Sequence, residues 1–297
     1  METLASYLGP ILALLTAVCW AFAVILFKRS GETVHPIGLN LFKAFLAISL
    51  LLPTIWISRD TLFPADSLQN YGLVLVSGML GIGIADTLFF RGLNAIGAGR
   101  IAIVDCLYSP FVIGLSILFL AESLSFWQFV GAVMIISAVL TLTGEPHSGV
   151  ERSALVKGIL LGVLAIACTS ASLVMVKPIL ERSPLLWVST WRMIGGAAVL
   201  VLVLSLHRGR REILGSLVHA RGWIYTLGGS FMGAYLSTLL WLGGMKYTQA
   251  SVAAALNQTS NVFIFIFAAM FLKERVTPLR TAGIVLAVAG AFLVMFG

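Results

Sequence analysis

The sequence predicts an all-α membrane protein: ten transmembrane helices in two inverted five-helix repeats. Three observations carry this: an apolar composition, ten apolar stretches of spanning length, and an internal repeat at constant offset. Of 297 residues, 59% are hydrophobic and only 10% charged, with a mean hydropathy of +1.02. A soluble domain carries roughly 25% charged residues. Lys and Arg are absent from most stretches of about 20 residues, the length needed to cross hydrocarbon.

Apolar runs bounded by polar or Gly/Pro punctuation place spans near 8–28, 36–58, 70–90, 101–120, 125–143, 156–177, 185–206, 222–244, 251–271 and 279–296. The first run has no preceding Lys or Arg and is longer than a signal-peptide core, so it is expected to stay in the protein. The longest polar gaps, Gly144–Lys157 and His207–Arg221, are too short for a soluble domain. Function must therefore lie in the bundle.

The chain repeats itself. Gly81, Phe111, Phe119, Leu120, Glu122, Gly131 and Val133 match Gly233, Phe263, Phe271, Leu272, Glu274, Gly283 and Val285 at an ungapped offset of 152. At an offset of 149, Gly9, Cys19, Lys28 and Lys43 meet Gly158, Cys168, Lys177 and the cationic Arg192. Residues 1–148 and 149–297 are thus expected to form two five-helix units. An odd number of spans per unit forces opposite orientations, the architecture of secondary carriers with a central site and alternating access.

The charge excess, 19 Lys plus Arg over 12 Asp plus Glu, comes without a basic nucleic-acid motif and fits loop bias toward the cytoplasm. With both termini outside, thirteen basic residues fall on the cytoplasmic side (Lys28, Arg29, Arg91, Arg100, Arg152, Lys157, Arg208, Arg210, Arg211, Arg221, Lys273, Arg275 and Arg280), against Arg59, Lys177, Arg182 and Lys246 outside. The count favours that orientation.

Phe119-Leu120-Ala121-Glu122 followed by Gly131, and Phe271-Leu272-Lys273-Glu274-Arg275 followed by Gly283 and Gly290, close spans four and nine. On these residues the chain resembles the drug/metabolite transporter superfamily, specifically EamA-type ten-span carriers, over nearly its whole length. The resemblance implies an exporter of small metabolites, amino acids or derivatives favoured, in a bacterial inner membrane. It also implies peripheral fifth and tenth spans. Eukaryotic members, usually drawn with both termini in the cytosol, imply the opposite orientation to the charge count.

Four ionisable residues lie well inside apolar runs: Lys43, Asp86, Asp105 and Arg192. An intramembrane charge costs roughly 2.5 kcal/mol or more even on lenient scales, so each should face the bundle interior or water. Lys43, Asp86 and Asp105 lie toward one membrane face at overlapping depths, which makes pairing feasible. Lys43 is then a substrate anchor or switch, with the aspartates as coupling groups for protons. A static ion pair is the competing expectation. Arg192 is expected toward the opposite face, where its guanidinium could grip a carboxylate or phosphate. Snorkelling to the interface is its alternative.

Span nine opens on Ala254-Ala255-Leu256-Asn257-Gln258, which resembles the Gly-Ala-Leu-Asn-Lys motif of nucleotide-sugar transporters. The resemblance implies ligand contact by Asn257 and Gln258, but Gln258 replaces the lysine that would meet a pyrophosphate. Helix-to-helix bonding is the plainer use of such amides. Asp105 and Cys106 hold the repeat-equivalent positions. Trp20, Tyr108, Trp191 and Tyr235 are candidates to line the same cavity, although most membrane aromatics pack or anchor.

Cys19, Cys106 and Cys168 lack metal-site spacing, and all four histidines fall in connections, so neither metal nor cofactor is expected. Gly81-Ile82-Gly83-Ile84-Ala85-Asp86 lacks the spacing of an aspartyl intramembrane protease, and no nucleophile motif is present. An enzyme is therefore not expected. A channel or membrane scaffold is the alternative class, though neither needs an inverted repeat. The expected partners are a small-molecule substrate, protons and the lipid bilayer, for a monomer or weak oligomer.

Overall fold

The computed structural model describes residues 2–120, 125–143, 151–180, 182–247 and 256–296. The expected Ala121-Glu122 and Ala254-Ala255 segments, and the first half of the 144–157 gap, lie outside them. Span one is Glu2–Ser30 and span two Pro36–Ile57, opened by His35, whose Nδ1 accepts from the Ile37 N–H. Span three runs Leu68–Ile96, longer than expected, because Ser67 caps its start and its polar last turns still pack inside the bundle. Span four is split into Ala98–Asp105 and Tyr108–Leu120. Span five is Phe126–Thr143, span six Arg152–Leu180 and span seven Leu185–Leu206. A short helix, Arg210–Val218, fills the gap expected to be a polar loop; its buried Ile213 docks it under span two. Span eight is Trp223–Tyr247, span nine Leu256–Leu272 with a turn at Thr259, and span ten Pro278–Phe296.

This is the expected fold of ten spans in two inverted repeats. The two halves share their irregularities. Span three carries a π-helical stretch at Met79–Ala85 and span eight one at Phe231–Leu236, offset by the same 152 residues. The breaks at Cys106–Leu107 and Thr259 are also repeat partners. Packing follows the symmetry: span one lies on span eight as span six lies on span three, while two meets seven, four meets nine and five meets ten.

Spans five and ten form a pair to one side. The Gly131 and Gly290 backbones touch, and a Cβ on Gly290 would lie 2.7 Å from the Gly131 carbonyl. Phe126, Trp127, Phe129, Ile136 and Val285 of this pair point outward and are exposed, as lipid-facing residues should be. Span one begins and span ten ends at the same end, called here the terminal face. The other end, the basic face, carries most of the lysines and arginines.

The basic face is tied by named bonds. The Glu274 carboxylate accepts from the N–H groups of Ala98 (2.7 Å) and Gly99 (3.0 Å), capping the first half of span four. Gly97, at φ +87°, is required there: a Cβ would sit 2.7 Å from that carboxylate. The signature glutamate is thus a helix cap, placed at the positive end of the dipole. Arg29 reaches the Phe271 carbonyl (3.0 Å), and Ser30 shares a hydrogen bond with Thr226 (2.7 Å).

Candidate functional site

A central cavity of about 260 Å³ is lined by spans one to four and six to nine; among the described residues five and ten contribute none. It stops about 10 Å short of the basic face, at Lys43 and Asp105, each seven residues into its span. Toward the terminal face it continues to Leu180, Val188 and Trp241, near the ends of spans six, seven and eight.

Its electrostatic centre is the ion pair of Lys43 with Asp86. Lys43 is almost fully buried, at 4% side-chain exposure, whereas Asp86 keeps 24% toward the cavity. The Phe90 ring lies 5.3 Å from the ammonium and adds a cation–π contact. Asp105 and Tyr108 border the cavity from the two sides of the break in span four.

Asn40, one turn before Lys43, was not singled out from the sequence. Its Nδ2 lies 2.7 Å from the Ile82 carbonyl, 3.2 Å from that of Gly83 and 2.9 Å from the Thr87 hydroxyl. A π-helical stretch disturbs the regular i→i−4 pairing; Asn40 donates to the Ile82 carbonyl, and the Gly83 carbonyl accepts from the Thr87 hydroxyl (2.7 Å) as well. Span two therefore grips span three twice, by Asn40 at the irregular turn and by Lys43 just beyond it. The signal legible in the sequence was a polar residue one turn from Lys43 on the same helix face.

Arg192, seven residues into span seven, borders the same cavity as Asp86. Lys43 and Arg192 each lie about 10 Å into their spans from opposite ends of a core about 30 Å thick. The reach of the guanidinium closes most of the remaining depth. Nη2 of Arg192 donates to Ser172 (2.9 Å), while its Nε is buried with no hydrogen-bond partner among the described residues. Gly81 makes room for that bond, since a Cβ there would lie 3.2 Å from Nη2.

Asn257 and Gln258 both line the cavity. Oδ1 of Asn257 is buried without a partner among the described residues. Gln258 donates to the Ser109 hydroxyl (3.3 Å), while Asn261 donates to Cys106 (3.4 Å) and to Gln258 Oε1 (2.9 Å). The first two bonds are repeat mates, since Cys106 and Ser109 correspond to Gln258 and Asn261. Spans four and nine are thus bonded symmetrically across the pseudo-twofold axis.

Of the aromatic candidates, Trp20 and Tyr108 line the cavity; Trp191 and Tyr235 do not. Trp191 donates to the Leu62 carbonyl (2.9 Å) and packs edge-on against Phe63 and Tyr71. The Tyr235 hydroxyl bonds Thr54 (2.7 Å). Both are removed from the cavity by these outward bonds, which helical spacing does not reveal. Thr169, Ser189, Thr238 and Trp241 line it instead, none with a sequence mark apart from helical phase. Among the described residues no cluster of His, Cys, Asp and Glu could hold a metal ion.

The EamA-like transporter family model matches this chain twice, over residues 7–144 and 156–296. The chain belongs to the EamA-like transporter family. A protein from Archaeoglobus fulgidus named as an uncharacterized transporter is 24% identical over 285 residues, covering 96% of this chain and 97% of the relative. Another so named, from Methanothermobacter thermautotrophicus, is 29% identical over 231 residues, 76% of this chain and 64% of the relative. A solved crystal structure with 16% identity superposes at a TM-score of 0.67, covering 98% of this chain and 96% of that one, and supports the fold. This EamA-like protein is a multi-pass membrane transporter and not an enzyme.

Proposed function

We propose that this transporter carries a small zwitterionic or anionic metabolite, amino acids or their derivatives favoured, by alternating access, with export the direction implied by the family resemblance. The observation that supports this most is that two residues lining one cavity, Arg192 and Asn257, each carry a buried polar atom, Nε and Oδ1, without a hydrogen-bond partner among the described residues. One is a cationic donor suited to a carboxylate; the other is an acceptor suited to an ammonium or amide. Burial makes an unfilled donor or acceptor expensive, so a ligand that fills both gains accordingly.

Lys43 and Asp86 neutralise one another, which leaves Arg192 and Asp105 as further charged groups at the cavity. Trp20 and Tyr108 provide apolar walls. Asp86 and Asp105 are the coupling candidates on this reading, because an ion pair that opens during rocking can take up or release a proton. The two five-helix units, residues 1–148 and 149–297, are the parts that rock. The membrane is a bacterial inner membrane with the basic face in the cytoplasm.

Thermal-shift measurement across a metabolite panel, followed by flux in proteoliposomes, tests the proposal. Binding of amino acids or small carboxylates, weakened at least tenfold by Arg192→Leu, is expected. Binding of lipophilic cations alone would overturn the assignment of Arg192, and flux without counterflow would identify a channel.

A further inference from the structure

We infer that Lys28 and Lys177 are reciprocal gate residues that position the two halves and so decide which face of the transporter is open. The inference rests on the alternating-access reading above. The two lysines are repeat mates at the offset of 149, each near the end of the first span of its unit, and they lie at opposite faces.

In this structure their surroundings differ. Lys28 is half-buried, and its Nζ donates to the Asn94 carbonyl (2.9 Å) in the last turns of span three. Asn94 returns a bond from Nδ2 to the Gly31 carbonyl (3.3 Å), and Gly31 has no Cβ to obstruct it. Spans one and three are thereby tied at the basic face. Lys177, at the terminal end of span six, is exposed.

Packing shows the same asymmetry independently. The last turns of span three, Asp86–Ile96, pack against spans one and two as well as span six. Their repeat mate, Ser237–Tyr247 of span eight, packs closely outside its own span against span one alone, among the described residues. Two units built to one plan with different packing at their ends represent one closed and one open gate. The basic face is closed here.

A helix C-terminus offers unpaired carbonyls and partial negative charge, and a long ammonium can leave them for water at small cost. The acceptor for Lys28 is a main-chain carbonyl, so the presence of Lys246 at the position matching Asn94 leaves the reciprocal acceptor in place. In the opposite state Lys177 bonds the last carbonyls of span eight, and Lys28 is released.

The test uses two repeat-mate reporters in a chain lacking Cys19, Cys106 and Cys168. Leu173→Cys reports the open side, since Leu173 lines the cavity, and Val24→Cys reports the closed side, where Val24 is fully buried. Labelling by N-ethylmaleimide in membrane vesicles is expected to be fast for the first and slow for the second. Adding Lys28→Met should accelerate Val24→Cys labelling about tenfold, the loss of one charged hydrogen bond, and Lys28→Arg should keep it slow. Lys177→Met removes an exposed side chain and cannot unfold this state. It should leave Leu173→Cys labelling fast and slow that of Val24→Cys about tenfold. If the Val24→Cys thiol reacts with both lysines present but neither lysine variant changes its rate, the gate assignment is overturned and alternating access stands. If that thiol never reacts while Leu173→Cys labels completely, alternating access itself fails.

Discussion

Lys43 and Asp86 offer a stability measurement that needs no substrate. Asp86→Asn leaves an ammonium with 4% exposure and no counter-ion, a change that costs about 3–5 kcal/mol for a buried pair. Lys43→Met is milder, about 1–3 kcal/mol, because the Asp86 carboxylate retains 24% exposure and can draw water from the cavity. The double variant leaves no stranded charge, so its loss should fall short of the sum of the single losses by about 2 kcal/mol or more. Thermal unfolding of the four proteins in detergent measures this coupling. Repeating it at about 1 M salt should change the coupling little, since a buried pair is weakly screened. Additive losses would refute the picture of a buried, mutually dependent pair. In proteoliposomes, Asp86→Asn or Asp105→Asn should abolish gradient-driven accumulation and spare counterflow if that aspartate couples transport. Normal accumulation in both variants would exclude either as indispensable.

Glu274→Gln replaces one of two carboxylate acceptors on the Ala98 and Gly99 amides with a donor. It should lower stability by about 1.5–3 kcal/mol in the same assay, and an unchanged melt would show the cap to be dispensable. Asn40→Leu strands the Ile82 carbonyl at the π-helical stretch, at about 1–3 kcal/mol, whereas the Gly83 carbonyl keeps its bond from the Thr87 hydroxyl. Counterflow should fall with it, because Asp86 follows that stretch directly; wild-type counterflow would separate the two. His35 has a depressed pKa from burial first, then from the neighbouring charges of Arg91 and His207. Its folded-state value lies below the unfolded value, so the stability it contributes is present above about pH 6.5 and is lost as pH falls. Melts between pH 7.5 and 5 should show a loss that His35→Asn, a non-titrating cap, reduces; an identical slope would remove His35 as its source.

The ten spans, the inverted repeat and the intramembrane charges were legible in the sequence, because hydrocarbon imposes length and composition on every crossing and penalises each stray charge. Repetition added orientation, since Lys28 and Lys177, or Gly81 and Gly233, match whatever the packing. The sequence also singled out Lys43, Asp86, Asp105, Arg192, Asn257 and Gln258, all of which border one cavity. It could not decide that Asp86 is the aspartate paired with Lys43. That choice rests on the π-helical stretch at Met79–Ala85 and on Asn40 holding it, a backbone irregularity with no hydropathy signature. Nor could it separate Trp20 from Trp191: both are membrane tryptophans, but the Leu62 carbonyl draws Trp191 outward. Which face is closed was likewise decided only by tertiary structure. The two units share one plan, and the difference between them lies in the packing of their ends, where Lys28 is bonded and Lys177 exposed.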